Sequence, residues 1–206
     1  MFATAKAQII KLLKMKKIAL NLLSLAVATT LFVGCSTDTL TEENSSLNAT
    51  ATVFEGQDIQ QNQLVGTWMI ESMTSNIAVD LDANGSSSVD LLTETTCFDG
   101  MYFDFNAEGI VETEQGRISV LEDRVECDGS GVYTAGYEVS GNTLSVTAEI
   151  NGQTVTLTKT IGLSSDASGE YLHVAIEDYE VEQIVSDPGN TVASDIERIE
   201  IVYKKQ

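Results

Sequence analysis

The densest run of oxygen-bearing side chains in this sequence is Asp80-Leu81-Asp82-Ala83-Asn84-Gly85-Ser86-Ser87-Ser88-Val89-Asp90. Oxygens at alternate positions followed by a glycine suit Ca²⁺, a hard cation that takes about six to eight oxygen ligands. Asp80, Asp82 and Asn84 occupy the first three ligand positions of such a loop, and Ser86 offers its carbonyl. Ser88 can contribute through a water. The twelfth position, where a bidentate acid belongs, is Leu91, and the nearest acids are Asp90 and Glu94. The same run also reads as an Asx-rich loop between strands, since Asp and Asn side chains bond their own main chain two residues on. The loop reading leads, and calcium at Asp80, Asp82, Asn84, Ser86 and Asp90 stays open beside it.

Other reactive residue types are thinly spread. His173 is the single histidine and lies in an alternating stretch with no nucleophile beside it, which reads as a wall or surface residue rather than a base. Carboxylate pairs such as Glu42-Glu43 and Glu122-Asp123 suit glycoside hydrolysis in principle, but 31 acids make such pairs common by chance. Asp128-Gly129-Ser130-Gly131 is glycine-rich yet has no lysine and no strand-to-helix setting, as a phosphate loop requires. No nucleophile–base set or complete metal cluster can be assembled, so the expectation is a protein without catalysis.

The chain has 206 residues with 11 basic and 31 acidic side chains, a formal charge of −20. Nucleic acid is excluded as a partner, because its phosphates need a basic face. Five of the basic residues (Lys6, Lys11, Lys14, Lys16, Lys17) precede an apolar run from Ile18 to Val33. A basic start, an apolar stretch and a small residue before a cut describe a secretory signal. The run is shorter than the ~20 residues of a spanning helix.

Leu31-Phe32-Val33-Gly34-Cys35 resembles a bacterial lipobox. The resemblance implies a signal peptide over 1–34, a cut before Cys35, and acylation of Cys35, which would tie the protein to a lipid bilayer. Acyl chains anchor firmly, at about 0.8 kcal/mol for each buried methylene. Residues 35–63 then read as a flexible polar tether, too poor in apolar side chains to offset chain entropy. Removal of the signal leaves 6 basic against 31 acidic groups (6 − 31 = −25), so attachment rests on lipid and not on a basic patch. The expected location is the outer membrane, on its periplasmic face or at the cell surface. With Cys35 taken by lipid, Cys97 and Cys127 are left, and two cysteines in an exported protein are expected to pair.

Residues 64–206 must carry the fold, and their pattern is nearly all strand. Met101–Phe105 leads through Asn106-Ala107-Glu108-Gly109 into Ile110–Thr113, a hairpin with a glycine in its loop. Val132–Val139 and Thr143–Ile150 flank Ser140-Gly141-Asn142, and Asn151-Gly152 turns the chain into Gln153–Lys159. Asn-Gly supplies the positive φ angles of a two-residue hairpin turn. Tyr171–Ile184 and Ile196–Tyr203 complete the set, separated by Asp187-Pro188-Gly189-Asn190. Strands joined in sequence order by tight turns predict an all-β, antiparallel up-and-down meander. About eight such strands close into a barrel, which removes exposed edges.

Leu64-Val65-Gly66-Thr67-Trp68, with the only tryptophan, resembles the first-strand signature of lipocalins and lipocalin-like bacterial lipoproteins. The Asp-Leu-Asp segment, Cys97, the Phe105–Gly109 hairpin, Cys127 and Ser-Gly-Asn-Thr-Leu make residues 64–206 similar to a Bacteroidota lipocalin-like group. The resemblance implies a barrel whose floor is closed by Gly66 and Trp68, with the late-strand Arg198 stacked on the indole. It also implies reversible binding of a small apolar ligand, or a surface binding module. The other reading is a structural barrel filled by its own side chains, stiffened by calcium at Asp80–Asp90.

Overall fold

The computed structural model describes residues 56–206 except 122, 123, 130, 151 and 190. The signal segment, Cys35 and most of the tether lie outside the described residues.

Among the described residues twelve strands form: β1 (Gly66–Val79), β2 (Ser88–Asp90), β3 (Tyr102–Phe105), β4 (Ile110–Glu114), β5 (Ile118–Leu121), β6 (Arg124–Cys127), β7 (Val132–Ser140), β8 (Thr143–Ile150), β9 (Gln153–Asp166), β10 (Gly169–Glu177), β11 (Val185–Ser186) and β12 (Arg198–Lys205). Eight of them pair antiparallel in the order β1-β3-β4-β7-β8-β9-β10-β12, and β12 pairs back onto β1 to close the ring. The expected all-β barrel is therefore observed, in up-and-down order once the short strands are set aside. The short strands stand apart from these eight: β2 pairs antiparallel beside the Thr74–Val79 end of β1, while β5, β6 and β11 make a separate three-stranded sheet. The β11–β5 pairing is parallel.

Alternation along each strand sets the core. On β12, Ile199, Ile201 and Tyr203 are buried, while Arg198, Glu200 and Val202 alternate with them. Trp68, Met73, Phe105, Ile161 and Leu172 join them in the core, all within 2 % of full burial. Phe103 and Phe105 stack at 5.5 Å, and Phe103 meets Tyr203 edge-on at 4.9 Å, geometries that suit the ring quadrupoles. The floor half of the barrel is filled by these side chains.

The folded unit begins earlier than Leu64. Ile59 is buried and its N–H donates to the Gly141 carbonyl at 2.9 Å. The Gln57 side chain bonds both main-chain groups of Leu163, each at 2.9 Å. A helical turn, Gln61–Leu64, then leads into β1.

The up-and-down order puts the long connections 80–101, 115–131 and 178–197 at the opposite end from the floor. They carry their own apolar residues (Leu91, Phe98, Ile118, Val120, Val181, Val185), which join the barrel core in one cluster. These connections form a lid. Cys97 in the first is bonded to Cys127 in the second, with a Cα–Cα distance of 5.1 Å, as expected.

Candidate functional site

The floor carries the signature residues, but with a different cation. Trp68 is buried and its indole N–H donates to the Leu64 carbonyl at 2.6 Å. Lys205, its register partner on β12, lies over the ring at 5.1 Å. Gly66 has φ +126°, and a Cβ there would lie 3.1 Å from Lys205 Cε, so only glycine lets the chain enter β1 under this side chain. Arg198 does not stack on Trp68. It stands at the other end of β12, where its guanidinium pairs with Glu177 and Glu200, each at 2.6 Å. The sequence placed a cation in the right strand; the β1–β12 register, which sets Trp68 opposite Lys205, selects Lys205.

The acidic loop is split between two tasks. Asp80 and Asp82 join Glu94, with one oxygen of each within 4.8 Å of the others. Glu94 is buried and accepts the Leu81 N–H at 2.9 Å. It reaches the loop because Asp90 caps the helical turn Leu91–Glu94, accepting the Leu92 N–H at 3.1 Å. Asp90 is thus a cap outside the carboxylate cluster. Asn84 and Ser86 are outside it as well. Asn84 donates its N–H to Asp80 and Asp82, and its side-chain oxygen accepts the Ser86 N–H at 2.8 Å. These are the bonds of an Asx-rich loop. A cleft of about 600 Å³ opens over the three carboxylates, with Leu121 and Arg124 on its far side.

His173 has a partner that sequence spacing did not suggest. Ser164 Oγ lies 2.8 Å from His173 Nε2. The contact follows from the β9–β10 register, which puts Ser164 opposite Tyr171 and Gly162 opposite His173. Burial holds the imidazole below its usual pKa against the pull of Glu200, so the ring is neutral at pH 7.

The mouth is covered unevenly. Tyr137 and Leu144 are buried on the inner face, and Val146 pairs with both Tyr137 and Leu157. Alternation therefore puts Ala148, Ile150, Val155 and Leu157 on that same inner face, with Tyr133 beyond Tyr137 on β7. Yet Tyr133, Ile150 and Leu157 are 58 %, 53 % and 67 % exposed. The lid seals the rest of the mouth and leaves this apolar wall in solvent. Lys159, next along the inner face, makes an ion pair with Glu180 of the lid. Sequence reasoning missed the wall because alternation marks these side chains as inward and does not show what covers them.

Residues 64–165 match the profile of the family described as lipocalin-like domain. No curated protein and no solved structure matches the chain. The matched segment runs from the Trp68 floor into β9, and β10 and β12 beyond it complete the ring. The matched profile and the closed eight-stranded barrel agree: residues 64–165, just under half of the chain, carry a lipocalin-like domain.

Proposed function

We propose that the domain is a binding module for a small apolar ligand, carried on an acylated Cys35 at the outer membrane, on its periplasmic face or at the cell surface. The mechanism is reversible burial without covalent chemistry. The observation that supports it is the exposed inner wall of Tyr133, Ile150 and Leu157 above a filled floor. Apolar area removed from water is worth about 25 cal/mol per Å², so a ligand laid on this wall gains affinity from area alone. An environment-sensitive apolar dye titrated into the protein tests it. The dye should bind and be displaced by apolar competitors, and Leu157→Asp should weaken it about tenfold or more, the loss of one large apolar contact plus a carboxylate at the wall. Absence of saturable dye binding sinks the reading.

A second reading has its own support: buried Glu94 joined to Asp80 and Asp82. In it the domain is a structural barrel whose lid is stiffened by calcium, with Glu94 supplying the acid that position twelve of the loop lacks. Calcium bound only to the folded state raises the melting temperature in proportion to the logarithm of its concentration. Calcium should raise the melting temperature of the wild type and not of Glu94→Gln; equal melting curves with calcium and with chelator remove this reading.

A further inference from the structure

The barrel ring is incomplete along one strand. β9 pairs with β10 only from Ile161 to Asp166, whereas it pairs with β8 from Gln153 to Thr160. Among the described residues, the mouth half of β9 therefore has a strand on one side only. The Ile150–Gln153 pair flanks a two-residue turn, which makes it a mutually hydrogen-bonded pair, and the odd residues of β9 then face β8. The Ile161 N–H, which donates to Asn142 at 2.8 Å, agrees with this phase. Thr154, Thr156 and Thr158 accordingly turn their main-chain N–H and C=O groups to the open side. Such a row is a template for another strand.

The same edge is chemically unlike the rest of the molecule. From Ile150 to Ser165 there is no Asp or Glu, in a chain with 31 of them. Gln153–Thr160 holds no proline, and its one cation, Lys159, pairs with Glu180, which with Glu177 borders the cleft beside Thr158 and Thr160, so the stretch of edge away from acid is Gln153–Leu157. Two strongly anionic copies would repel over most of their surfaces and could approach here. The edge is also self-complementary about Thr156. Antiparallel pairing of two copies there sets Thr154 opposite Thr158 on one face. On the other it sets Val155 opposite the exposed Leu157, twice over, as a twofold axis requires.

We propose that this edge, whose own residues carry no acid, joins two copies of the chain, β9 to β9, into a twofold dimer. The contact is made of main-chain hydrogen bonds with two Val155–Leu157 pairs on its apolar face. Because repulsion between the remaining surfaces opposes it, added salt tightens the dimer.

Sedimentation equilibrium on the intact chain tests this, with Thr156→Pro as the main variant. Proline at 156 deletes an N–H on the open side, leaves the β8 ladder whole and is tolerated on an edge strand. The wild type should dimerise with rising concentration. Thr156→Pro should raise the dissociation constant by about tenfold or more while its far-ultraviolet dichroism stays that of the wild type. Dye binding measured on the monomeric variant is free of the Leu157 contact between copies, so failure of the dimer is separable from failure of ligand binding. Should the proline variant unfold, Thr156→Glu with Thr158→Glu puts acid on the edge through side chains alone, and this double variant must be monomeric. A wild type that stays monomeric up to millimolar concentration overturns the proposal, whether its edge is bare or takes a foreign strand. So does a dimer that survives the folded variants.

Discussion

Asp187 shows how a single carboxylate can hold a loop. Its oxygens accept N–H groups from Thr191 and Ala193, both at 2.9 Å, and so pin the chain between β11 and β12. Burial works against its ionisation, but the main-chain donors of Thr191 and Ala193 outweigh that and hold the carboxyl below its usual pKa of 3.8. A depressed folded-state pKa contributes stability above the unfolded value and loses it as pH falls through the folded one. Asp187→Ala should therefore cost about 1 kcal/mol at neutral pH, after allowance for solvent screening. The gap between variant and wild type should shrink below pH 3.8. Denaturant melts at pH 7 and in acid check this; a gap that is constant with pH rules it out. The sequence showed residues 187–190 only as a break between two strand stretches and gave no sign that Asp187 ties the chain down there, because the donors arrive only when the loop closes. Glu94 is similar. It lay near the acidic loop in sequence, but the cap at Asp90 brings it to Asp80 and Asp82.

At the scale of elements, the strands of the ring were legible and those of the lid were not. β7, β8 and β9 announce themselves by alternation and by Asn-Gly between β8 and β9. β5, β6 and β11 are at most four residues long, and β11 joins β5 in parallel from far along the chain, so neither turn chemistry nor periodicity marks them. What binds the lid together is the Cys97–Cys127 bond, closing 30 residues of separation. At the start of that region the chain approaches so closely that a Cβ on Gly116 would lie 2.4 Å from the Cys97 carbonyl oxygen. On the chain-entropy model such a bond is worth about 3–4 kcal/mol. Cys97→Ser with Cys127→Ser should lower the melting temperature by roughly 10 °C and leave the far-ultraviolet dichroism of the ring in place. Calorimetry showing a shift below about 2 °C would mean that the lid stands without its bond.

For the molecule as a whole, one barrel presents two unlike ends. The floor is packed solid around Trp68, Tyr203 and Phe105, and the burial of Tyr203 raises its phenol pKa despite a hydrogen bond to Gln115 at 2.9 Å. The mouth is sealed by the lid over one part and left apolar and open along β7–β9. Ligand binding and pairing of copies both use this mouth side and share Leu157: inner-face side chains serve the first, and open-side main chain with the Val155–Leu157 pairs serves the second.

The sequence alone determined the class, the strands of the ring, the buried tryptophan of the Gly-x-Trp start and the pairing of Cys97 with Cys127. These follow from local rules: the two-residue period of a strand, the φ demands of a turn, and the small number of cysteines. The tertiary structure decided which cation covers Trp68, which acid completes the group at Asp80, what partner His173 has and which inward-facing residues stay in water. Each of these depends on register or on how distant loops pack, and neither is written within any one segment of the chain.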